Sequence, residues 1–140
     1  MVSVSLKGQV ARDLKKSLGH LDYSYQIKVR HFKFDGHEWS EEELETLESF
    51  SSRFARTSDL FVSRYLRILC LEVDPSFRGS LVDTLNLGEK SGYIGSARTW
   101  KRIRELRSVA AHGSVTDDVN VLYGELVSLT PTILDVAKLL

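Results

Sequence analysis

The chain has 140 residues, 42% of them apolar and 27% charged, and its 19 basic side chains are balanced by 19 acidic ones. That is one domain's worth of sequence with enough apolar content to bury a core, which argues against disorder as the main state. With a formal net charge of zero, no global field marks the chain for nucleic acid or a membrane, so an anionic partner has to be met by a local patch.

The lone cysteine, Cys70, rules out an intrachain disulfide and is weakly in keeping with a reducing compartment. In the run Ile68-Leu69-Cys70-Leu71 it reads as a small buried hydrophobe. The segment Met1 to Lys7 lacks the apolar run of a signal peptide. No apolar stretch approaches the roughly 20 residues of a membrane span. A cytoplasmic location without membrane contact is the expectation.

Apolar residues recur at spacings of three and four, sustained alternation is absent, and only Pro75 and Pro131 interrupt the chain. An all-α fold follows, and helices apolar on one face pack into an antiparallel bundle of four to five helices within a single domain over residues 1–140. The first helix is expected from about Leu6 to Arg30, with Leu6, Val10, Leu14, Leu18, Leu21, Tyr25 and Val29 as its stripe and Gly19 as a weak point. Lys33 to Trp39 is a loop turning at Asp35-Gly36.

The second helix starts at Ser40, which forms a capping box with Glu43, and runs to about Glu72 ahead of Asp74-Pro75. Leu47, Phe54, Phe61, Tyr65 and Ile68 line its apolar face. Ser80 and Asp83 cap a shorter third helix that ends near Ser91-Gly92. Ser96 caps a fourth from Ala97 to about His112, with Gly113 as its stop. Thr116 is the expected cap of a fifth, from Asp117 toward Leu140, kinked or split at Pro131.

The fourth helix breaks its own pattern. At about 100° per residue, Trp100, Ile103, Leu106 and Ala110 share the core stripe, and Arg107 falls between Trp100 and Ile103. Arg104 and Ala111 sit at the border. A guanidinium there is costly unless a carboxylate such as Asp59 or Asp83 holds it, unless it snorkels to the bundle edge, or unless it faces a cleft or subunit interface. His112 follows five residues later at the helix end, where a positive charge is favoured. The two side chains diverge by about 140° on one helix, so they come together more readily if the helix unwinds at Gly113 or if a second copy of the helix faces the first, two-fold pairing being the commonest oligomer symmetry.

Around them the charge is polarised. Arg98, Lys101, Arg102, Arg104 and Arg107 are accompanied only by Glu105, and Arg53, Arg56, Arg64 and Arg67 of the second helix only by Asp59, while acids gather in Glu38 to Glu48. If the two arginine-rich faces meet, they form a phosphate-attracting groove.

The segment from Trp100 to His112, with four residues between Arg107 and His112, resembles the HEPN superfamily, whose signature is an arginine, four to six intervening residues, and then a histidine near the end of a late helix. The capped long helix from Ser40 to Glu72, the stretch Leu85 to Ile94 and the motif helix come in the order seen in HEPN toxins. The resemblance spans roughly Leu6 to Leu140 and is strongest from Phe50 to Gly113. It implies a helical bundle paired as a two-fold homodimer, with the two motif helices sharing a cleft. It also implies metal-independent endoribonuclease chemistry with no cofactor, acting on RNA, in the toxin of a pair whose antitoxin is a small nucleotidyltransferase.

In that reading Arg107 and His112 are catalytic. His112 moves protons and Arg107 steadies negative charge on the phosphate, while Arg104, Lys101 and Ser108 bind substrate. Ser108 stands where an asparagine or another polar residue is common. Ser114 stands where toxins modified by their nucleotidyltransferase carry a tyrosine, so that modification is not carried over. The alternative is a catalytically silent HEPN domain serving as the nucleotide- or substrate-binding partner of a nucleotidyltransferase. A purely structural helical dimer instead requires Arg107 to be salt-bridged within its own subunit, away from any cleft.

Overall fold

The computed structural model describes residues 5–112 and 118–140, apart from the side chains of 109–112. Among the described residues the secondary structure is entirely helical. α1 is Leu6–Tyr23, α2 Glu41–Asp59, α3 Arg67–Val73, α4 Leu81–Lys90, α5 Ala97–His112 and α6 Val119–Leu134. A π-helical segment, Leu60–Leu66, joins α2 to α3 in one continuous rod. This rod is the second helix of the sequence reading, and α4, α5 and α6 are its third, fourth and fifth.

Local chemistry sets the helix starts. Ser5 accepts from the Gly8 amide at the head of α1, and Ser40 and Glu43 close a capping box at α2. Ser80 and Asp83 do the same at α4, and the Ser96 hydroxyl takes the Thr99 amide at α5. Each cap satisfies amides that have no partner within their own helix. Two turns exploit glycine's freedom at positive φ, Gly36 in the loop before α2 and Gly92 after α4. α6 is capped by Asp118, whose carboxylate takes the Asn120 amide. The expected cap Thr116, the expected first residue Asp117 and the expected stop Gly113 lie outside the described residues.

Pairs of touching residues fix the directions. Along α1 and the rod, Lys7 meets Glu72, Ser17 meets Thr57, and the Arg53 guanidinium donates to the His20 carbonyl. One number rises as the other falls, so the two run antiparallel. The same holds for the rod against α4, where the Cys70 thiol reaches the Thr84 carbonyl and Leu66 packs on Gly88. It holds again for the rod against α5, where Phe61 packs on Trp100 and Asp59 meets Arg107. Arg102 meets Glu125 of α6, whose far end at Pro131 and Thr132 lies beside Ser96 and Thr99. The bundle closes when the Tyr65 hydroxyl donates to the Leu139 carbonyl.

Most of the expected stripes are buried: Val10, Leu14, Leu18, Leu21 and Val29; Leu47, Phe54, Phe61 and Tyr65; Trp100, Ile103 and Leu106. Three points depart from expectation. Leu6, the first residue of α1, is 61% exposed. The α-helix ends at Tyr23 and continues to His31 as a π turn and a 3-10 turn, in which Ser24 and Val29, five apart, are buried and Tyr25 is half-buried. In the rod, the wider π turns shift the buried register, so Leu66 and Leu69 enter the core and Ile68 is only half-buried, while Cys70 is buried as its apolar surroundings imply. Gly19 does not split α1, and Pro131 lies inside α6 without splitting it. Among the described residues no helix is long and apolar enough to cross a membrane.

Candidate functional site

The C-terminal end of α2 and the middle of α5 meet at Asp59. Its carboxylate is shared by two arginines of α5. Arg107 donates from Nε at 3.0 Å and from Nη2 at 2.6 Å to Oδ2, and Arg104 donates from Nη1 to Oδ1. The three side chains are 29%, 32% and 32% exposed, in the order Arg107, Arg104, Asp59. The helix wheel thus places Arg107 correctly beside Trp100 and Ile103, both buried. The guanidinium escapes the core by reaching the bundle edge, where Asp59 holds it. Asp83, the other carboxylate considered, is engaged at the cap of α4 instead. Hydrogen bonds from the Ser80 amide and hydroxyl hold its carboxyl below the ordinary value.

A groove of about 430 Å³ opens next to this cluster, lined by Arg56, Asp59, Leu60, Ser63, Arg64 and Arg104. The two arginine-bearing faces therefore do meet, but only part of each contributes. Arg53 turns away to the His20 carbonyl and the Ser24 hydroxyl. Arg67 donates to the Gly79 carbonyl and lies over the Phe77 ring. Arg102 is clamped between Glu125 and Glu105 on the α6 side. That pairing raises its pKa and holds the Glu125 carboxyl below its usual range. Arg56 and Arg64, by contrast, are exposed and have no polar side-chain partner among the described residues.

The residues expected to form the site are distributed as follows. Arg107 and Arg104 converge on one carboxylate. Lys101, Arg104 and Ser108 stand at spacings of three and four along one side of α5, and Lys101 and Ser108 are exposed. Neither lines the groove at Asp59. The backbone of α5 runs through His112, but the His112 side chain lies outside the described residues, as does Ser114. The requirement that Arg107 be salt-bridged in its own subunit is met, yet the bridge flanks an open groove and is not remote from one.

Arg56 and Arg64 belong to the arginine-rich face that the sequence marks as one wall of a phosphate-attracting groove, whereas the sequence reading does not mark Ser63. Its signal was the spacing Arg56, Asp59, Ser63 and Arg64, which puts all four on one side of a helix. Acidic charge sits earlier on the same rod, from Glu41 to Glu48. Glu48, the nearest of these acids, lies roughly 12 Å along the axis from Arg56, about one and a half Debye lengths at physiological salt, so it offsets the groove only weakly.

The fold and the site together define an all-helical bundle with a guanidinium-rich groove at the crossing of two helices. Compared with protein-family models, with curated proteins and with solved structures, the chain matches none.

Proposed function

We propose that this chain is a metal-independent endoribonuclease of the HEPN type, acting as a homodimer and serving as the toxin of a pair whose antitoxin is a small nucleotidyltransferase. The observation that carries the reading is the crossing at Asp59. Arg107 is held at a half-buried position with fixed orientation, five residues ahead of His112 on the same helix and next to a groove edged by three further arginines. A planar guanidinium fixed by a carboxylate is preorganised to meet developing negative charge, and it keeps donors for a phosphate.

In the proposed reaction the ribose 2′-hydroxyl attacks the adjacent phosphorus. The O2′–P bond forms and the P–O5′ bond breaks, leaving a 2′,3′-cyclic phosphate and a 5′-hydroxyl. One His112 imidazole takes the 2′-hydroxyl proton, and a proton is returned to the leaving 5′-oxygen, by the partner copy's imidazole or by the same ring in turn. Arg107 offsets the charge on the non-bridging oxygens. Lys101, Arg104 and Ser108 contact the backbone, and the exposed side of α5 carrying Lys101 and Ser108 is the surface offered to a second copy.

A second reading has one observation in its favour. Asp59 occupies both Nε and Nη2 of Arg107, the edge best suited to a bidentate phosphate contact. That suits a silent binding domain that partners a nucleotidyltransferase. Incubating the pure protein with RNA in EDTA separates the two. Cyclic-phosphate products that disappear in His112→Ala and Arg107→Ala support the ribonuclease. Cleavage unchanged in both variants refutes it. Absence of cleavage together with co-purification of a nucleotidyltransferase favours the binding domain.

A further inference from the structure

The arginines that edge the groove are separate from the Arg107–His112 pair and have a geometry of their own. Arg56, Leu60, Ser63 and Arg64 lie along one side of the rod, and Arg104 enters from α5. From Arg56 to Arg64 is eight residues, roughly 12 Å of helix axis at the α-helical rise. Asp59, near the middle of this span, pairs through its two carboxylate oxygens with Arg104 and Arg107 and makes no ion pair with Arg56 or Arg64. The result is a groove edged by positive charge that is repeated along the rod. The Leu60 side chain and the Ser63 hydroxyl lie between the charges.

A compact anion would use one end of such a groove. A chain with a charge at every unit would use all of it. Guanidinium forks match phosphate oxygens in pairs, Ser63 can donate to a sugar or phosphate oxygen, and Leu60 offers apolar contact to a sugar or base face. We propose that the groove is a backbone subsite for single-stranded RNA, in which Arg56, Arg64 and Arg104 hold phosphates flanking the one that Arg107 and His112 act on. The inference takes its ligand from the RNA reading above but does not depend on catalysis.

The test uses the full chain and a fluorescent 2′-O-methyl octanucleotide, which cannot be cleaved because its 2′-oxygen is blocked. Its binding is followed by anisotropy from 50 to 200 mM salt. Arg56→Gln/Arg64→Gln weakens binding roughly tenfold at low salt and makes the slope of log affinity against log salt shallower by about 1.4, since each lost phosphate contact on a single strand removes about 0.7. Arg12→Gln, an exposed arginine of α1, leaves both values unchanged.

The single variants each produce about half the slope change, and they carry the test if the double variant loses its cooperative thermal transition. Affinity and slope equal to wild type in all these variants overturn the proposal, as does a wild-type protein that does not bind the oligonucleotide. Inorganic phosphate is titrated in parallel. If it binds as tightly as the oligonucleotide, with the same dependence on Arg56 and Arg64, the groove is a free-anion site and the backbone proposal falls.

The all-ribose octanucleotide is assayed for cleavage beside it. Arginine-dependent binding without cleavage removes the ribonuclease reading and leaves the groove. Cleavage that needs His112, with binding indifferent to Arg56 and Arg64, removes the groove and leaves the ribonuclease.

Discussion

Replacing Asp59 by asparagine should make the protein less stable and a better binder of polyanions at the same time. The substitution keeps the side chain's size but removes the charge that holds Arg104 and Arg107. Three charge-assisted hydrogen bonds are affected. Fully desolvated bonds of this kind contribute up to about 3 kcal/mol each, and exposed ion pairs about 0.2–1 kcal/mol. With each side chain about a third exposed, the solvent-screened end of that range applies, and the total loss is about 1–2 kcal/mol.

A chain of 140 residues unfolds with an entropy of about 0.3 kcal/mol per kelvin, so the midpoint falls by about 3–7 °C. The same change removes the only negative charge among the groove's lining residues. A unit charge roughly 6 Å from a bound phosphate, at an effective dielectric constant of about 40–80, opposes it by about 0.7–1.4 kcal/mol, so binding tightens about three- to tenfold. Differential scanning calorimetry reads the first effect, and anisotropy of the uncleavable oligonucleotide at 100 mM salt reads the second. An unchanged midpoint would show that the shared carboxylate is not a structural clamp. Weaker binding would show that Asp59 serves by positioning the arginines and not by competing with the ligand, and would refute the electrostatic argument.

His37 lies between Asp35 and Glu43 at the start of α2. Its pKa is raised, chiefly by the hydrogen bond to Asp35, while hydrogen bonds to His37 and to Ser40 lower those of Asp35 and Glu43 respectively. The histidine's contribution is complete below its ordinary value of 6.5 and fades as pH rises through the raised value. The glutamate's is complete above its ordinary 4.5 and fades as pH falls through the lowered one. Thermal midpoints should therefore show a plateau between those values, and His37→Gln should lose the decline on its alkaline side; an identical profile in the variant would count against the pairing.

The buried Ser17 and Thr57 hydroxyls lie 2.7 Å apart. Thr57→Val alone should cost about 1–3 kcal/mol by leaving Ser17 unpaired, whereas Ser17→Ala with Thr57→Val should cost clearly less. Urea titrations giving simply additive costs would contradict this. A β-carbon at Gly88 would stand 3.0 Å from Leu66, which is fully buried. Gly88→Ala should then lose about 1 kcal/mol despite the gain in helix propensity, and a raised midpoint would mean that Leu66 has room to move.

The helices and their caps were legible because they depend on neighbours in sequence. Ser40 with Glu43, Ser80 with Asp83, and Ser96 all cap where their spacing required, and the buried stripes of α1, the rod and α5 follow the 3.6-residue period as far as that period holds. It fails where the backbone widens into π turns. Nothing in the local sequence announces that change, and it moves Ile68 out of the buried register and Leu66 into it. The odd position of Arg107 was also visible on the wheel, since the angle between residues of one helix is a local property.

Which carboxylate would answer Arg107 was not local. Asp59 and Asp83 were equivalent as sequence. The antiparallel packing of α5 on the rod brought Asp59 to it, while the cap of α4 had already engaged Asp83. The same crossing decided which arginines form a groove. Arg53, Arg67 and Arg102 carry the same charge as Arg56, Arg64 and Arg104, but carbonyls, a ring and two glutamates reach them first. Sequence by itself determined that the chain is helical, where most helices begin, and that one arginine stands on a core-facing stripe, because these depend on side chains a few residues apart. Only the tertiary structure decided the partner of that arginine and the membership of the groove, because both depend on distances between residues 45 to 48 positions apart in the chain.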